Sequence, residues 1–77
     1  MQETQIKVEI LEHKNLFPIF IRFLTKKLNM EVNYIKAYKN YFVIESKSSK
    51  DKCFILVENF YWLNDFFKVQ KVTFDYK

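Results

Sequence analysis

Seventy-seven residues with no glycine, one cysteine and a net charge of +4 exclude several chemistries before any pattern is read. Glycine lets the backbone take φ > 0 or approach a ligand closely, so the P-loop, the dinucleotide-binding GxGxxG, the kinase glycine loop and the G-x-S-x-G nucleophile elbow are all closed. A single cysteine allows no intrachain disulfide and no apolar run reaches ~20 residues, which together point to a soluble, cytoplasmic protein, read as one compact domain over residues 1–77.

So short a chain buries little more than ~60% of its unfolded surface. The nine Phe, five Tyr and one Trp answer that shortage, because each buried aromatic removes ~150–250 Å² from water.

In chain order, residues 5–11 alternate, with Ile6, Val8 and Ile10 opposite Lys7 and Glu9, the period of a half-buried strand. His13, Lys14 and Asn15 form a polar loop, with Asn15 a candidate N-cap and Pro18 tolerated in the first turn. Residues 16–29 read as a helix whose inner stripe is Phe17, Phe20, Ile21, Leu24 and Leu28, ended by Asn29 or a neighbour. Residues 31–38 read as extended, with Val32, Tyr34, Lys36 and Tyr38 on one face, and Lys39-Asn40 as a turn in which Asn40 can go left-handed. Residues 41–46 form another strand and 47–51 a loop. The apolar run 52–57 reads as a further strand, central in the sheet, followed by a helix over 58–68 and a last strand with Val72, Phe74 and Tyr76 on one face. The order β-α-β-β-β-α-β implies an α+β domain, a mostly antiparallel sheet with two helices packed on it.

The inner order α-β-β-β-α over 16–68 resembles the double-stranded RNA-binding domain. That family clamps phosphate with a glycine- and lysine-rich entry to its last helix, where this chain has Glu58-Asn59-Phe60-Tyr61-Trp62. The resemblance therefore stops at the layout and implies no RNA clamp. The βαββαβ ferredoxin-like layout is similar as well, with one strand fewer than the order read here.

One His and one Cys cannot assemble a zinc site from N and S donors, and the acidic residues are scattered, so no metal or cofactor is expected. Cys53 lies in the most apolar segment, where a buried thiol is inert, and His13 has no neighbour in sequence to orient it as a base. The expectation is a protein that is not an enzyme. Tyr34, Lys36, Tyr38, Lys39 and Tyr41 form an aromatic and basic surface across a strand and turn. With Tyr61 and Trp62 of the second helix they are the candidate partner-binding residues, suited to a protein interface or to stacking single-stranded bases. Arg22, Lys26 and Lys27 are candidates for a phosphate or acidic contact. The aromatics crowded between Tyr61 and Phe67 are hard to bury on one side, which points to a homodimer.

Lys, Asn, Ile, Phe and Tyr supply 39 of 77 residues, a low-GC bias. Small size, that bias and the missing motifs are similar in general character to an accessory protein of a phage or plasmid. The sequence reading is therefore a non-catalytic protein that binds and inhibits or adapts a host or defence protein, with a nucleic-acid-binding module as the alternative.

Overall fold

The computed structural model describes residues 3–76. Strand β1 (Thr4–Ile10) buries Ile6, Val8 and Ile10 and exposes Lys7, the two-residue period of a strand covered on one face. It is followed by α1 (Phe17–Lys27), β2 (Val32–Ala37), β3 (Tyr41–Ser46), α2 (Lys50–Trp62), the single turn α3 (Asn64–Phe67) and β4 (Val69–Tyr76). The sheet order is β2-β3-β1-β4, and β1–β3, β1–β4 and β2–β3 all pair antiparallel. Helix α1 carries the chain from β1 over β3 to β2, and α2 carries it from β3 over β1 to β4. This is the βαββαβ ferredoxin-like arrangement, a small α+β domain with its helices packed on an antiparallel sheet.

The run 52–57 is not a strand. It lies inside α2, where Cys53, Leu56, Val57 and Phe60 are buried at helical spacing while Phe54 and Ile55 stay exposed. Aromatic and β-branched residues favour strands as a prior, but packing of one helical face decides the outcome. The loop read at 47–51 contains the start of that helix: Ser49 is its N-cap and accepts a hydrogen bond from the Lys52 amide at 3.4 Å. The helix read over 58–68 is accordingly the end of α2, then α3. At α1 the N-cap is Leu16, without a side-chain cap, and not Asn15.

The inner face of the sheet and the two long helices share one core. Ile6, Val8, Ile10, Phe42 and Ile44 meet Phe17, Ile21 and Leu24 from α1 and Leu56, Val57 and Phe60 from α2. Phe17 sits at the centre, its ring 4.9 Å from Phe42, 5.1 Å from Phe67 and 5.5 Å from Phe60. Phe20 and Leu28, read as inner, are only half-buried.

A chain without glycine must put other residues where φ is positive. Among the described residues it uses His13, Asn29 and Lys68, and Asn40 is not one of them. Asn29 follows the C-cap of α1 and Lys68 is the C-cap of α3. Asparagine takes this region most readily, and lysine there carries a steric cost of roughly 1 kcal/mol.

Burial pushes the Cys53 thiol above its ordinary pKa of 9.0, with hydrogen bonds to Thr4 and Ser46 pulling partly the other way. A thiolate disfavoured in the folded state means stability that is fully present below the unfolded pKa and is lost as pH rises through the folded one. The melting temperature is therefore expected to fall as pH rises above 9.0, and to fall less steeply in Cys53→Ala. Thermal melts across that range measure both; equal slopes would show that the thiol does not couple to folding.

Candidate functional site

The site is built where α1 meets the free edge of the sheet. Strand β2 is an edge strand, and its pairing with β3 slips by one residue at Asn33: Val32 faces Ser46, then Tyr34 faces Glu45 and Ile35 faces Ile44. The irregularity turns Val32 inward with Ile35, so the alternation read for 31–38, which put Val32 on the same face as Tyr34 and Lys36, breaks there.

Between this edge and the flank of α1 runs a groove of about 540 Å³. Arg22 and Lys26, one helical turn apart, border it with Asn29 beyond the helix end, and Asn33, Tyr34 and Ile35 border it from β2. Met30 and Val32 add apolar surface, and no Asp or Glu lines the groove. Arg22 is the chain's one arginine, and neither it nor Lys26 is engaged by an acidic side chain among the described residues. A guanidinium with an ammonium beside it attracts carboxylate or phosphate oxygens, the guanidinium with two parallel hydrogen bonds.

A polar cluster stiffens the β2 wall. Gln5 Nε2 donates to the Tyr34 hydroxyl at 3.0 Å and to Glu45 Oε2 at 3.1 Å, while Asn33 Nδ2 donates to Glu45 Oε1 at 3.0 Å. The Glu45 carboxylate, and then desolvation, hold the Tyr34 pKa above its ordinary 10.0, so the phenol stays neutral at physiological pH.

Of the sequence candidates the structure brings Arg22 and Lys26 together on the groove, with Tyr34 bordering it from β2 while its ring lies on the helix-free face, and separates the rest. Lys27 is exposed and lies outside the groove. Lys36 lies with the Tyr34 ring on the helix-free face of the sheet, its ammonium 4.7 Å from that ring's centre. Tyr38 stacks on Tyr41 at 4.8 Å, and Lys7 sits 4.1 Å over Tyr41; Lys39 lies in the exposed turn between them, its carbonyl accepting from Lys14 Nζ at 3.3 Å. Tyr61 and Trp62 are exposed together near the end of α2, Trp62 by 84%. The sequence reading did not name Asn29, Met30 or Asn33 as site residues. Two asparagines four residues apart across a helix–strand connection were the available signal, but the bulge that aims β2 leaves no periodic trace.

Among the described residues no group of three or more His, Cys, Asp or Glu is placed to hold a metal ion, and no helix is long and apolar enough to cross a membrane. His13 lies against Phe66, rings 4.1 Å apart, and borders no part of the groove.

No protein-family model and no curated protein matches the chain. Solved structures do. An acylphosphatase from Bacillus subtilis matches with a TM-score of 0.79 at 16% identity, over 100% of this chain and 86% of that one. The aspartokinase alpha and beta subunits match with a TM-score of 0.71 at 16% identity, over 95% of this chain and 49% of that one. Aspartokinase III of E. coli, in complex with lysine and aspartate in the T-state, matches with a TM-score of 0.62 at 10% identity, over 97% of this chain and 17% of that one. Such identities establish a shared fold, one that serves both in an acylphosphatase and as part of aspartokinase chains, and fold does not assign activity.

These neighbours overturn the expectation of a phage- or plasmid-encoded inhibitor or adaptor of a host protein. That reading rested on nucleotide bias and missing motifs, which describe a genome and a set of exclusions but no surface. The nucleic-acid alternative gains nothing either. In its stacking platform Tyr38 and Tyr41 stack on each other, Lys7 sits over Tyr41 and Lys36 over Tyr34.

Proposed function

We propose that this chain is a small-ligand-binding domain of regulatory type, which holds a small molecule bearing a carboxylate or phosphate in the groove between α1 and β2 and does not turn it over. The observation that carries the reading is the pairing of Arg22 and Lys26 on a wall free of acidic residues, facing an edge strand pinned by Glu45, Gln5 and Asn33. Supporting it is the fold's occurrence in an aspartokinase structure that holds lysine and aspartate. Binding is favoured over turnover because the two side chains best suited to nucleophilic or base chemistry are committed elsewhere: Cys53 is buried with its thiol held protonated, and His13 is stacked on Phe66.

Titrating isotopically labelled protein with inorganic phosphate, and separately with aspartate, is expected to shift the amide resonances of Arg22, Lys26, Asn29 and Asn33 saturably. Arg22→Gln is expected to weaken the tighter of the two by about tenfold or more, since a hydrogen bond to a charged group contributes about 1.5–3 kcal/mol. Equal affinity in Arg22→Gln, or shifts confined to another face, would reject the groove. Acylphosphatase activity that Arg22→Gln abolishes would keep the groove and reject the reading of binding alone.

A further inference from the structure

Helix α1 is apolar on two sides. Phe17, Ile21 and Leu24 face the sheet and are buried. A second stripe, Leu16, Ile19, Phe20 and Phe23, repeats at i, i+3, i+4 and i+7 and points away from the sheet. With Leu63, Phe66 and Phe67 it lines a groove of about 470 Å³ that, among the described residues, no charged side chain borders. Phe23 is 67% exposed, Ile19 62%, Phe66 44% and Leu16 40%. At about 200 Å² for a large side chain, these residues and the margins of Phe20 and Leu63 leave about 500 Å² of contiguous apolar surface in water. A solvated helix face carries polar residues at such positions, and a patch of this size is at the upper end of what monomers expose.

We propose that this face is the interface of a homodimer, covered by a second copy of the chain packed about a two-fold axis with the two α1 helices antiparallel. The area fits that occupant: a standard interface takes about 800 Å² from each partner, and homodimer interfaces are about 65% apolar, which requires about 520 Å² of apolar surface. A two-fold contact demands a self-complementary surface. Ile19 and Phe23 form a ridge, and beside it the half-buried Phe20 and Leu63 and the buried Phe67 form the floor that would receive the ridge of the other copy. Charged residues flank the patch at both ends. One end of the patch carries Lys27 in the last turn of α1. The other carries Asp65 in the first turn of α3 and Glu12, whose amide donates to the Phe67 carbonyl at 3.0 Å. Antiparallel packing sets Lys27 of each copy towards Glu12 and Asp65 of its mate, at an end that also carries Lys14 and Lys68. The proposal places the contact on α1 and α3, not on the Tyr61–Trp62 cluster, and stands apart from the ligand groove.

Sedimentation velocity on the full chain, from low micromolar to near-millimolar, is expected to show a reversible species of twice the 9.5 kDa chain mass. Phe23→Asp is expected to be monomeric throughout, with an unchanged far-ultraviolet circular dichroism spectrum because the side chain is exposed. Trp62→Asp, the same insult on another face, is expected to dimerise as before. Lys27→Glu is expected to weaken the dimer several-fold, and adding Asp65→Lys to restore it; this pair leaves the apolar surface intact and keeps the test open if Phe23→Asp fails to fold. A wild-type chain that is monomeric over the whole range, a dimer that survives Phe23→Asp, a dimer lost in Trp62→Asp, or charge reversals without effect would each overturn the proposal.

Discussion

Phe17→Ala is expected to lower the free energy of unfolding by about 3–5 kcal/mol, the usual cost of emptying a phenylalanine site in a core. A chain of this length holds roughly 4–12 kcal/mol in total, so one truncation takes a large share of it. The site is a severe one for two reasons. The ring is fully buried and touches rings from three other parts of the chain, Phe42 of β3, Phe60 of α2 and Phe67 of α3. Those partners are held by different elements, so no single backbone shift can close the void, and the cost keeps its cavity component. Phe23→Ala supplies the comparison on the same helix with the same chemistry. Its side chain is exposed, and in dilute solution, where any association is absent, the change is expected to stay within about 0.5 kcal/mol. Equilibrium urea unfolding of both variants measures the difference. A Phe17→Ala loss below about 1 kcal/mol would mean that the aromatic cluster is not the centre of the core.

The contrast between Phe17 and Phe23 also marks how far the sequence could be read. Phe17, Ile21 and Leu24 of the inner stripe of α1 were legible from their spacing and β1 from its alternation, each against one covered face. The extent of β3 was legible from its apolar run, although that run suggested cover on both faces and only alternate residues are buried. The second stripe of α1 uses the same residue types at the same spacing, and sequence alone does not say which stripe the sheet takes. The segment 52–57 was misread for a related reason. Cys53, Leu56, Val57 and Phe60 carry a helical repeat, but Phe54 and Ile55 fill the gaps in it and disguise the helix as a continuous strand. Those two stay partly exposed, and Phe54 lies 5.1 Å from Phe74 of β4, so the helix is apolar beyond its buried face. Of the candidate site, Arg22 and Lys26 were visible as a basic helix flank. The opposing wall was not, because it depends on a one-residue slip at Asn33 that only pairing with β3 defines.

Ser46→Val is the second large effect expected, and it links the fold to the groove. Ser46 is fully buried; its hydroxyl donates to the Glu31 carbonyl and accepts from the Ser48 amide at 3.0 Å. These two bonds tie the loop entering α2 to the connection between α1 and β2, between Met30 and Val32 of the groove. Valine has nearly the same shape and no hydroxyl. The Glu31 carbonyl keeps the Lys47 amide at 3.2 Å, so the group chiefly orphaned is the Ser48 N–H, at a cost of about 1–3 kcal/mol. Losing the tie also frees the start of β2, and the anion affinity of the groove is expected to fall although Arg22 and Lys26 are untouched. Ser46→Thr, which keeps the hydroxyl, is expected to retain most of both properties. Urea unfolding and the phosphate titration, run on the same two variants, separate the contributions. A Ser46→Val chain as stable as the parent would show the buried hydroxyl to be dispensable. One that is destabilised but binds unchanged would show that the groove does not depend on how the Glu31 connection is held.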